Sequence, residues 1–377
     1  MVGTQDMRAA SAPAHEAGSG EPESPVAAFS VYIPVWNEAR WLPGAIESVL
    51  AQTHQDWELI IGDNASQDDL GAIVARYPDP RIRYVRWDRH VPMSENHNRT
   101  MLLGRFEWLH VLSADDRMHP DALAVIASRV STAARAESRA SGASLAMVVG
   151  ACRRVDEGGQ PTDLVDGRVG RGTIYQPMRD GRHDPERWVR VNATPGVRPW
   201  MVGAVSVRRE LVHEIGGWRP EMGLCHDLEF LLRIAAFGDV EYITAPLLDY
   251  TVRGDSVSTV LSERHVLRGD AMVQQGQAWQ AILVAHAARR SISTAERGEV
   301  HAAIARAFLQ RAMTQRWMTG GGGRLGAARD ILRAFRWSPR TALTARNVAA
   351  ASVAVLLPRR GIVALRARAH RRGKVLV

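Results

Sequence analysis

Residues 29–38 read FSVYIPVWNE, an apolar and β-branched run that gives way to polar residues at Asn37 and Glu38. Such a run predicts a β-strand over Phe29–Val35 with a turn directly after it. A helical pattern over 41–51 follows, and short apolar runs then alternate with helical patterns as far as residue 152. This alternation predicts an α/β fold whose mostly parallel sheet is flanked by helices.

The same periodicity gives the other predicted elements. Further strands are predicted over 58–62, 81–86, 107–112, 145–152, 204–207 and 240–243. Predicted helices cover 69–77, 94–103, 120–130, 184–191, 208–215 and 228–237. From residue 262 onward the pattern is helical only, over 266–290, 294–318 and 325–335.

Composition divides the chain into three parts. Its 377 residues are 46% hydrophobic and 23% charged, which is typical of a globular protein. Residues 1–27 hold almost no large apolar side chain and predict a disordered leader. We expect residues 28–260 to form the α/β domain and residues 261–377 a basic helical C-terminal extension. Two cysteines are too few for a disulfide framework or a four-thiolate zinc site, so a reducing, cytoplasmic location is expected.

Positive charge is concentrated at the C-terminal end. The whole chain has a net charge of +8, and residues 261–377 contain 21 basic and 5 acidic residues. With the apolar stretch 349–357 and the arginines of 359–372, this predicts that the tail binds an anionic membrane surface, which would make the protein peripheral on the inner face of the membrane. The alternative is a helical appendage that packs on the body or pairs two chains. No recognition motif supports binding to nucleic acid, and the apolar run 348–357 is too short to span a bilayer.

Acidic residues stand directly after three of the predicted strands. Glu38 follows the first strand, Asp63 the second, and the pair Asp115-Asp116 the fourth. In open α/β sheets, ligands bind outside the carboxyl ends of the strands. A single acidic residue in such a position is more commonly a helix N-cap. Three that converge on one edge favour a functional cluster.

The adjacent pair Asp115-Asp116 predicts a metal site. Two neighbouring carboxylates after a buried strand repel each other unless a cation lies beside them. Mg²⁺ and Mn²⁺ prefer oxygen ligands, and Mg²⁺ is commonly held by one or two carboxylates together with substrate phosphates. The pair alone is weak evidence, because phosphatases and nucleases also carry it.

Several motifs, taken in order, resemble glycosyltransferase family 2, the inverting transferases with a GT-A nucleotide-sugar fold. The resemblance is carried by SVYIPVWNE at 30–38, AIESVLAQT at 45–53, IIGDNASQD at 60–68, LSADD at 112–116 and HPDAL at 119–123. LSADD stands where the family has its DxD motif. The resemblance covers about residues 29–260 and implies a GT-A domain that binds a nucleotide-sugar.

The resemblance also implies roles for single residues. The Pro34 backbone and Glu38 would hold the nucleotide, and Asp63 would accept a hydrogen bond from the base. Asp115 would lie near the ribose and the metal, and Asp116 would be a direct metal ligand. The implied cofactor is a divalent cation, Mn²⁺ or Mg²⁺.

Two further residues are implied by the family pattern. Inverting transfer needs a carboxylate that removes the proton of the acceptor hydroxyl, and the resemblance assigns this base to Asp227; the alternative is that Asp227 only caps a helix. Arg253, in a stretch that looks like the family's closing segment, would clamp a diphosphate; the alternative is an exposed loop arginine. The chain departs from the family at Ser113 and His226, which replace acidic residues, and at His97, which replaces an arginine.

The implied function is a metal-dependent inverting transferase that moves a sugar from a UDP-, TDP- or GDP-sugar to a hydroxyl of a glycan, lipid-linked or small-molecule acceptor. Acceptor choice is expected in 153–199 and near Trp200 and Trp218, whose rings could stack on sugars or belong to the core. One alternative is a nucleotidyltransferase on the same fold, although residues 34–38 lack the Gly- and Lys-rich loop of that class. Another is a non-catalytic nucleotide-sugar-binding protein, which the retained aspartates disfavour. A dinucleotide dehydrogenase is disfavoured because no G-x-G-x-x-G follows the first strand.

Overall fold

A computed structural model describes residues 27–139, 144–162, 164–165, 168–169, 174–175, 178–194, 199–254, 270–318, 324–344 and 347. The strands are β1 Phe29–Val35, β2 Trp57–Asp63, β3 Ile82–Arg86, β4 Trp108–Val111, β5 Arg117–Met118, β6 Leu145–Val155, β7 Leu164–Val165, β8 Arg168–Val169, β9 Ile174–Tyr175, β10 Gly181–His183, β11 Val205–Arg208 and β12 Asp239–Thr251. The α-helices are α1 Leu42–Leu50, α2 Leu70–Val74, α3 Met93–Met101, α4 Ala122–Arg139, α5 Pro185–Ala193, α6 Arg209–Ile215, α7 His226–Ile234, α8 Asp270–Arg289, α9 Thr294–Met318, α10 Arg324–Trp337 and α11 Pro339–Ala342. Two 3₁₀ segments cover Val202–Ala204 and Pro220–Cys225.

The main sheet has the strand order β10-β12-β6-β11-β4-β1-β2-β3. β1 lies parallel to β2 and to β4, β2 lies parallel to β3, and β12 lies parallel to β6. β11 is antiparallel to both β4 and β6, and β10 is antiparallel to β12. The predicted α/β architecture with a mostly parallel sheet is therefore confirmed, with an antiparallel strand inserted between β4 and β6.

β1 is buried on both faces, as expected for a central parallel strand. Val31 and Ile33 belong to one apolar core, which α1 covers through Leu42 and Ile46. Tyr32 points to the opposite face and belongs to the second core. Alternate side chains of one strand thus join the two helical layers to the sheet, which places the end of β1 at the centre of the carboxyl edge.

The C-terminal helices pack on the second core. Trp279 and Ile282 of α8 and Val300 and Ile304 of α9 are buried among side chains of the sheet and of α7. The imidazole Nε2 of His286 lies 2.7 Å from the Leu232 carbonyl oxygen of α7. For this part of the extension, the expectation of a helical appendage that packs on the body is therefore met.

The predicted domain limits fall largely outside the described residues. Residues 1–26 of the predicted leader lie outside the described residues, and so does the apolar and arginine-rich stretch 349–372. The predicted domain limit near residue 260 falls within 255–269, which the structure does not describe either. Ala27, predicted to be in the leader, is already buried in the first core. Among the helices that the structure describes, none combines the length and the apolar character needed to cross a bilayer.

The short strand β5 fastens the chain after Asp116 to β12. β5 pairs with β12 at Leu248 and Asp249, and the His119 N–H donates to the Leu247 carbonyl at 2.9 Å. Next to this pairing, Asp249 accepts two hydrogen bonds from Arg153, both 2.7 Å long, and its Oδ1 lies 2.9 Å from His119 Nε2. Burial by itself raises the pKa of Asp249, but the bonds from His119 and Arg153 outweigh it and hold the pKa at about 2.

We expect the Asp249→Asn variant to lose stability in a pH-dependent way. Because the folded-state pKa of Asp249 lies below its unfolded value, its charge stabilises the fold above about pH 4, and this contribution is lost as the pH falls toward about 2. The pH-dependent part should amount to about 2 kcal/mol of unfolding free energy. Urea unfolding of both proteins at neutral and acidic pH measures it.

Asp88→Asn, at an exposed aspartate after β3, is the matched control and should show no such pH-dependent difference. A destabilisation by Asp249→Asn that is the same at neutral pH and near pH 2 would contradict the role assigned to the ionised carboxylate.

Candidate active site

The loops that follow β1 and β2 are tied to each other. Pro34 pairs with Gly62 and Val35 with Asp63 at the carboxyl ends of the two strands. Beyond them, the Asn37 N–H donates to Ser66 Oγ at 3.0 Å, and the Gln67 N–H donates to Asn37 Oδ1 at 2.7 Å. This linkage holds the end of the FSVYIPVWNE segment in place.

Both loops contain a residue in the left-handed backbone region. Asn37 has a φ of 54° and Ala65 a φ of 57°. Asparagine tolerates this region, whereas alanine adopts it at a cost, and such strain is concentrated at functional sites. The backbone therefore marks the edge beside β1 and β2 as a candidate site independently of any side chain.

Arg253 joins two of the predicted site carboxylates. Its guanidinium donates to Glu38 Oε1 at 2.5 Å and to Asp115 Oδ2 at 2.8 Å. Burial alone lowers the pKa of Arg253, but the charges and hydrogen bonds of Glu38 and Asp115 outweigh it and raise the pKa. Arg253 is only 8% exposed, so the alternative of an exposed loop arginine is wrong. The segments after β1, β4 and β12, far apart in the chain, thus meet at one guanidinium.

Asp116 lies deeper than Asp115. It is 2% exposed, and its Oδ1 accepts the Thr251 N–H at 3.0 Å. The backbone at Gly203 approaches it so closely that a Cβ there would lie 3.2 Å from Asp116 Oδ2. Burial first, and then the neighbouring charge of Asp115, raise the pKa of Asp116 well above its ordinary value. The energetic cost of two adjacent carboxylates, expected from the sequence, is therefore present in the fold.

The donor set suits a hard divalent cation. In the part of the chain that the structure describes, no group of three or more His, Cys, Asp and Glu side chains is arranged to hold a metal ion. Asp115 and Asp116 nevertheless offer two adjacent carboxylates, which is the usual protein share of Mg²⁺ bound together with phosphates. A cation at this place would also offset the repulsion that raises the pKa of Asp116. The residues present therefore fit Mg²⁺ or Mn²⁺.

Asp63 is extensively hydrogen-bonded within the fold. It is fully buried, and its Oδ1 accepts the Ser66 N–H at 2.8 Å. Its Oδ2 accepts the Tyr84 hydroxyl at 2.5 Å and an Arg86 guanidinium N–H at 2.8 Å. A carboxylate has about four acceptor positions, so these three bonds leave room for one further donor. These partners of Asp63 differ from Glu38 and Asp115, the carboxylates to which Arg253 donates.

Asp227 lies in the first turn of α7. The turn before it contains Gly223, whose φ of 52° favours glycine. Asp227 Oδ1 accepts the N–H of Leu228 at 2.7 Å, so the carboxylate does bind one free N–H of the helix start, as the capping alternative supposed. This bond leaves most of the acceptor capacity unused.

α7 is held firmly from two sides. The buried pair Glu229 and Arg233 is linked at 2.8 Å, and Arg233 also donates to the Gly217 carbonyl at 2.6 Å. From α8, Gln274 Oε1 accepts the N–H of Leu224, just before α7, at 3.1 Å. The position of Asp227 therefore depends on the C-terminal helices as well as on the sheet.

Two of the residues that depart from the family pattern, His97 and His226, belong to a buried aromatic cluster. His97 and His226 both lie beside Trp218, with ring centroids 4.4 Å and 5.2 Å from it and 6.4 Å from each other. Trp218 also stacks on Phe230 at 4.4 Å. Burial, with a smaller effect from His226, lowers the pKa of His97 to about 3, so this imidazole is neutral near neutral pH.

The two tryptophans considered for acceptor binding are core residues. Trp218 is 2% exposed and Trp200 3%, and the Trp200 indole donates to Asn192 Oδ1 at 2.8 Å. Neither ring offers a face to a sugar. The exposed aromatic residue at the site is Trp36, which sequence reasoning missed. It is 44% exposed and lies 4.7 Å from the His90 ring; its place directly before Asn37 and Glu38 was the available signal.

Comparison with known proteins agrees with this geometry. Residues 30–135 match the family model for glycosyl transferase family 2. An uncharacterized protein of Mycobacterium tuberculosis (strain CDC 1551 / Oshkosh) is 26% identical over 243 residues, 63% of this chain and 72% of that protein. The succinoglycan biosynthesis protein ExoO of Rhizobium meliloti (strain 1021) is 35% identical over 101 residues, but these make up only 27% of this chain and 29% of ExoO.

Among solved structures, S. aureus TarS 1–349 in complex with UDP-GlcNAc has the same fold. The TM-score is 0.59 over 93% of each chain, at 13% sequence identity, a level at which the likeness shows the fold alone. Residues 30–135 thus match glycosyltransferase family 2 by sequence, and the chain shares the GT-A fold.

Proposed function

We propose that the chain transfers a sugar, with inversion and with the help of a divalent cation, from a nucleoside-diphosphate sugar to an acceptor hydroxyl. The observation that carries this proposal is the contact of Arg253 with Glu38 and Asp115, directly beside the buried Asp116. One positively charged side chain and three carboxylates lie at the carboxyl edge of the sheet. This combination suits a ligand that contains phosphates and binds together with a metal ion.

The nucleoside is proposed to bind beside β1 and β2. Pro34 and Glu38 flank the end of β1, Asp63 retains one acceptor position for a base N–H, and the exposed face of Trp36 suits stacking on the base. The TarS structures hold UDP and UDP-GlcNAc on the same fold. For this chain the donor is accordingly a nucleoside diphosphate-sugar of the UDP, TDP or GDP class.

The diphosphate is proposed to bind at Asp115, Asp116 and Arg253. A divalent cation bound there acts as a Lewis acid that offsets the charge of the departing nucleoside diphosphate. Asp115 and Asp116 would hold the cation, and Arg253, with its forked donors, would orient the phosphate oxygens. The hydrogen bonds from Arg253 to Glu38 and Asp115 keep the guanidinium in position before the donor arrives.

The acceptor hydroxyl is proposed to lose its proton to Asp227. The Leu228 N–H fixes one carboxylate oxygen, and the packing of α7 on α8 fixes the helix that carries it. The acceptor is a glycan, a lipid-linked sugar or a small molecule. Of the sequence relatives, ExoO is named for succinoglycan biosynthesis, which favours a glycan among these classes. A cytoplasmic location, peripheral to the membrane through the basic tail, is part of the same proposal.

The proposed metal site predicts how nucleotides stabilise the fold. UDP, TDP or GDP, whichever the chain binds, should raise the unfolding temperature in the presence of Mn²⁺, since a ligand at about 100 times its dissociation constant stabilises the folded state by roughly 2.7 kcal/mol. In Asp116→Asn the Mn²⁺-dependent part of this stabilisation should disappear. Thermal unfolding with each nucleotide, with and without Mn²⁺, is the measurement.

Asp121→Asn, the same change at an exposed aspartate shortly after the pair, should behave like the unmodified protein. Nucleotide stabilisation of equal size with and without Mn²⁺ would rule out the metal assignment.

The proposed base predicts a separation of binding from turnover. Asp227→Asn keeps the shape of the side chain but cannot accept the proton, so sugar transfer should fall by on the order of 10²–10⁴. Nucleotide stabilisation should stay unchanged, because Asp227 is assigned to the acceptor hydroxyl and not to the nucleotide. Glu221→Gln, at an exposed residue of the segment before α7, is the control and should keep its activity. Turnover by Asp227→Asn at the normal rate would refute the assignment.

A further inference from the structure

Helix α10 has two opposite faces. Ala327, Asp330 and Ala334 form its buried face, and the alanines pack on α9. On the other side, Leu325 is 84% exposed and Leu332 69% exposed. Phe335 is 39% exposed as well, so three large apolar side chains of this helix face the solvent.

The exposed leucines alternate with arginines along one line of the helix. Leu325, Arg329, Leu332 and Arg336 follow a spacing of four, three and four residues, which places them on one face of an α-helix. Arg329 and Arg336 are exposed, as are Phe335 and Arg333 at the sides of this line. We call the line Leu325, Arg329, Leu332 and Arg336 the α10 face.

The α10 face carries no exposed negative charge. The one acidic residue between 324 and 344 is Asp330, which is 3% exposed and lies on the buried side, 3.5 Å from Arg311 and from Arg333. Just beyond α10, Arg340 and Leu343 are exposed as well and repeat the same combination of basic and apolar side chains. The surface is therefore both apolar and uniformly cationic.

We propose that the α10 face binds the surface of an anionic lipid bilayer. A helix that lies in the bilayer interface buries its apolar side chains at the boundary of the acyl chains, while arginines along it reach the lipid phosphates. Leu325 and Leu332 supply the first contact, and Arg329 and Arg336 the second. From residue 325 to residue 336 the helix is about 17 Å long, so the contact runs along the membrane surface rather than through it.

The charge of the α10 face favours an anionic bilayer over two other partners, a second copy of the chain and a nucleic acid. A second copy that docked through the same face in a two-fold arrangement would set arginines against arginines, and no exposed acidic residue is there to offset them. A nucleic acid would take up the arginines but would leave the two leucines against charged phosphates. An anionic bilayer satisfies both kinds of side chain at once.

This inference does not depend on the transferase proposal. It concerns residues 325–336, whereas the tail expected to bind membranes from its sequence, 349–372, lies outside the described residues. The two proposals can fail separately. Membrane binding by the α10 face is measured with vesicles, whereas the transferase proposal is measured by nucleotide binding and sugar transfer.

The test is flotation of the full chain with vesicles of phosphatidylglycerol and phosphatidylcholine, and with vesicles of phosphatidylcholine alone. The double variant Leu325→Glu with Leu332→Glu should lower binding to the anionic vesicles about tenfold or more, because it removes the apolar contact and adds repulsion. The double variant Arg329→Gln with Arg336→Gln should lower it by a similar factor, since each basic residue contributes roughly 1 kcal/mol at such a surface. Leu102→Glu, at a 51% exposed leucine after α3, should bind as before.

Each outcome of the flotation experiment either supports or overturns the proposal. Loss of binding in both double variants, with Leu102→Glu unaffected, supports the α10 face as the membrane contact. Unchanged binding in the double variants would overturn the proposal and leave the tail as the membrane contact. A full chain that floats with neither kind of vesicle would overturn it too. So would a fall in oligomeric state on light scattering with vesicle binding intact, because the face would then join two copies. Nucleotide stabilisation of all variants shows that they remain folded.

Discussion

The contact of Arg253 with Glu38 and Asp115 is the interaction on which the site depends. A guanidinium that is 8% exposed is stable in this position only because two carboxylates surround it, and the carboxylates in turn tolerate each other only because it lies between them. The three residues come from the segments after β1, β4 and β12, so removal of the Arg253 charge would leave two neighbouring carboxylates without their shared cation. The same contact fixes the carboxyl edge of the sheet at its centre.

The parts of the fold farther out serve to keep that edge in position. β5 fastens the chain after Asp116 to β12, and the Asp249 cluster with His119 and Arg153 strengthens this attachment. On the other side, α8 packs against the segment before α7 and against α7 itself, through Gln274 and His286. The described helices α8 and α9 thus pack on the α/β part of the chain, although composition and charge set them apart in the sequence.

Sequence reasoning was most accurate where one local signal decided the structure. The bounds of β1 were predicted without error, because a continuous buried run between two breaks has one interpretation. β12 runs to Thr251 rather than to residue 243, since Pro246 and the register shifts around it interrupt the apolar pattern while pairing with β6 continues. The partners of Arg253 and the burial of Trp200 and Trp218 were beyond prediction, because they depend on which distant segments meet. The hydrogen bonds of Asp63 with Tyr84 and Arg86 also join segments distant in the sequence, so they could not be predicted either.

Arg253 and an added cation would divide the carboxylates of the site between them. Arg253 donates a hydrogen bond to Asp115, and its charge also lowers the pKa of Asp116, but burial and the charge of Asp115 outweigh it and raise that pKa. The fold therefore pairs Asp115 with a cation directly, whereas ionisation of Asp116 is disfavoured. A divalent cation that arrived with a diphosphate would favour the ionised Asp116, because it would bring positive charge to this carboxylate while the phosphates met the guanidinium held by Glu38. Donor and metal would then bind together more tightly than either binds alone, which is a property of the charge arrangement rather than of any single residue.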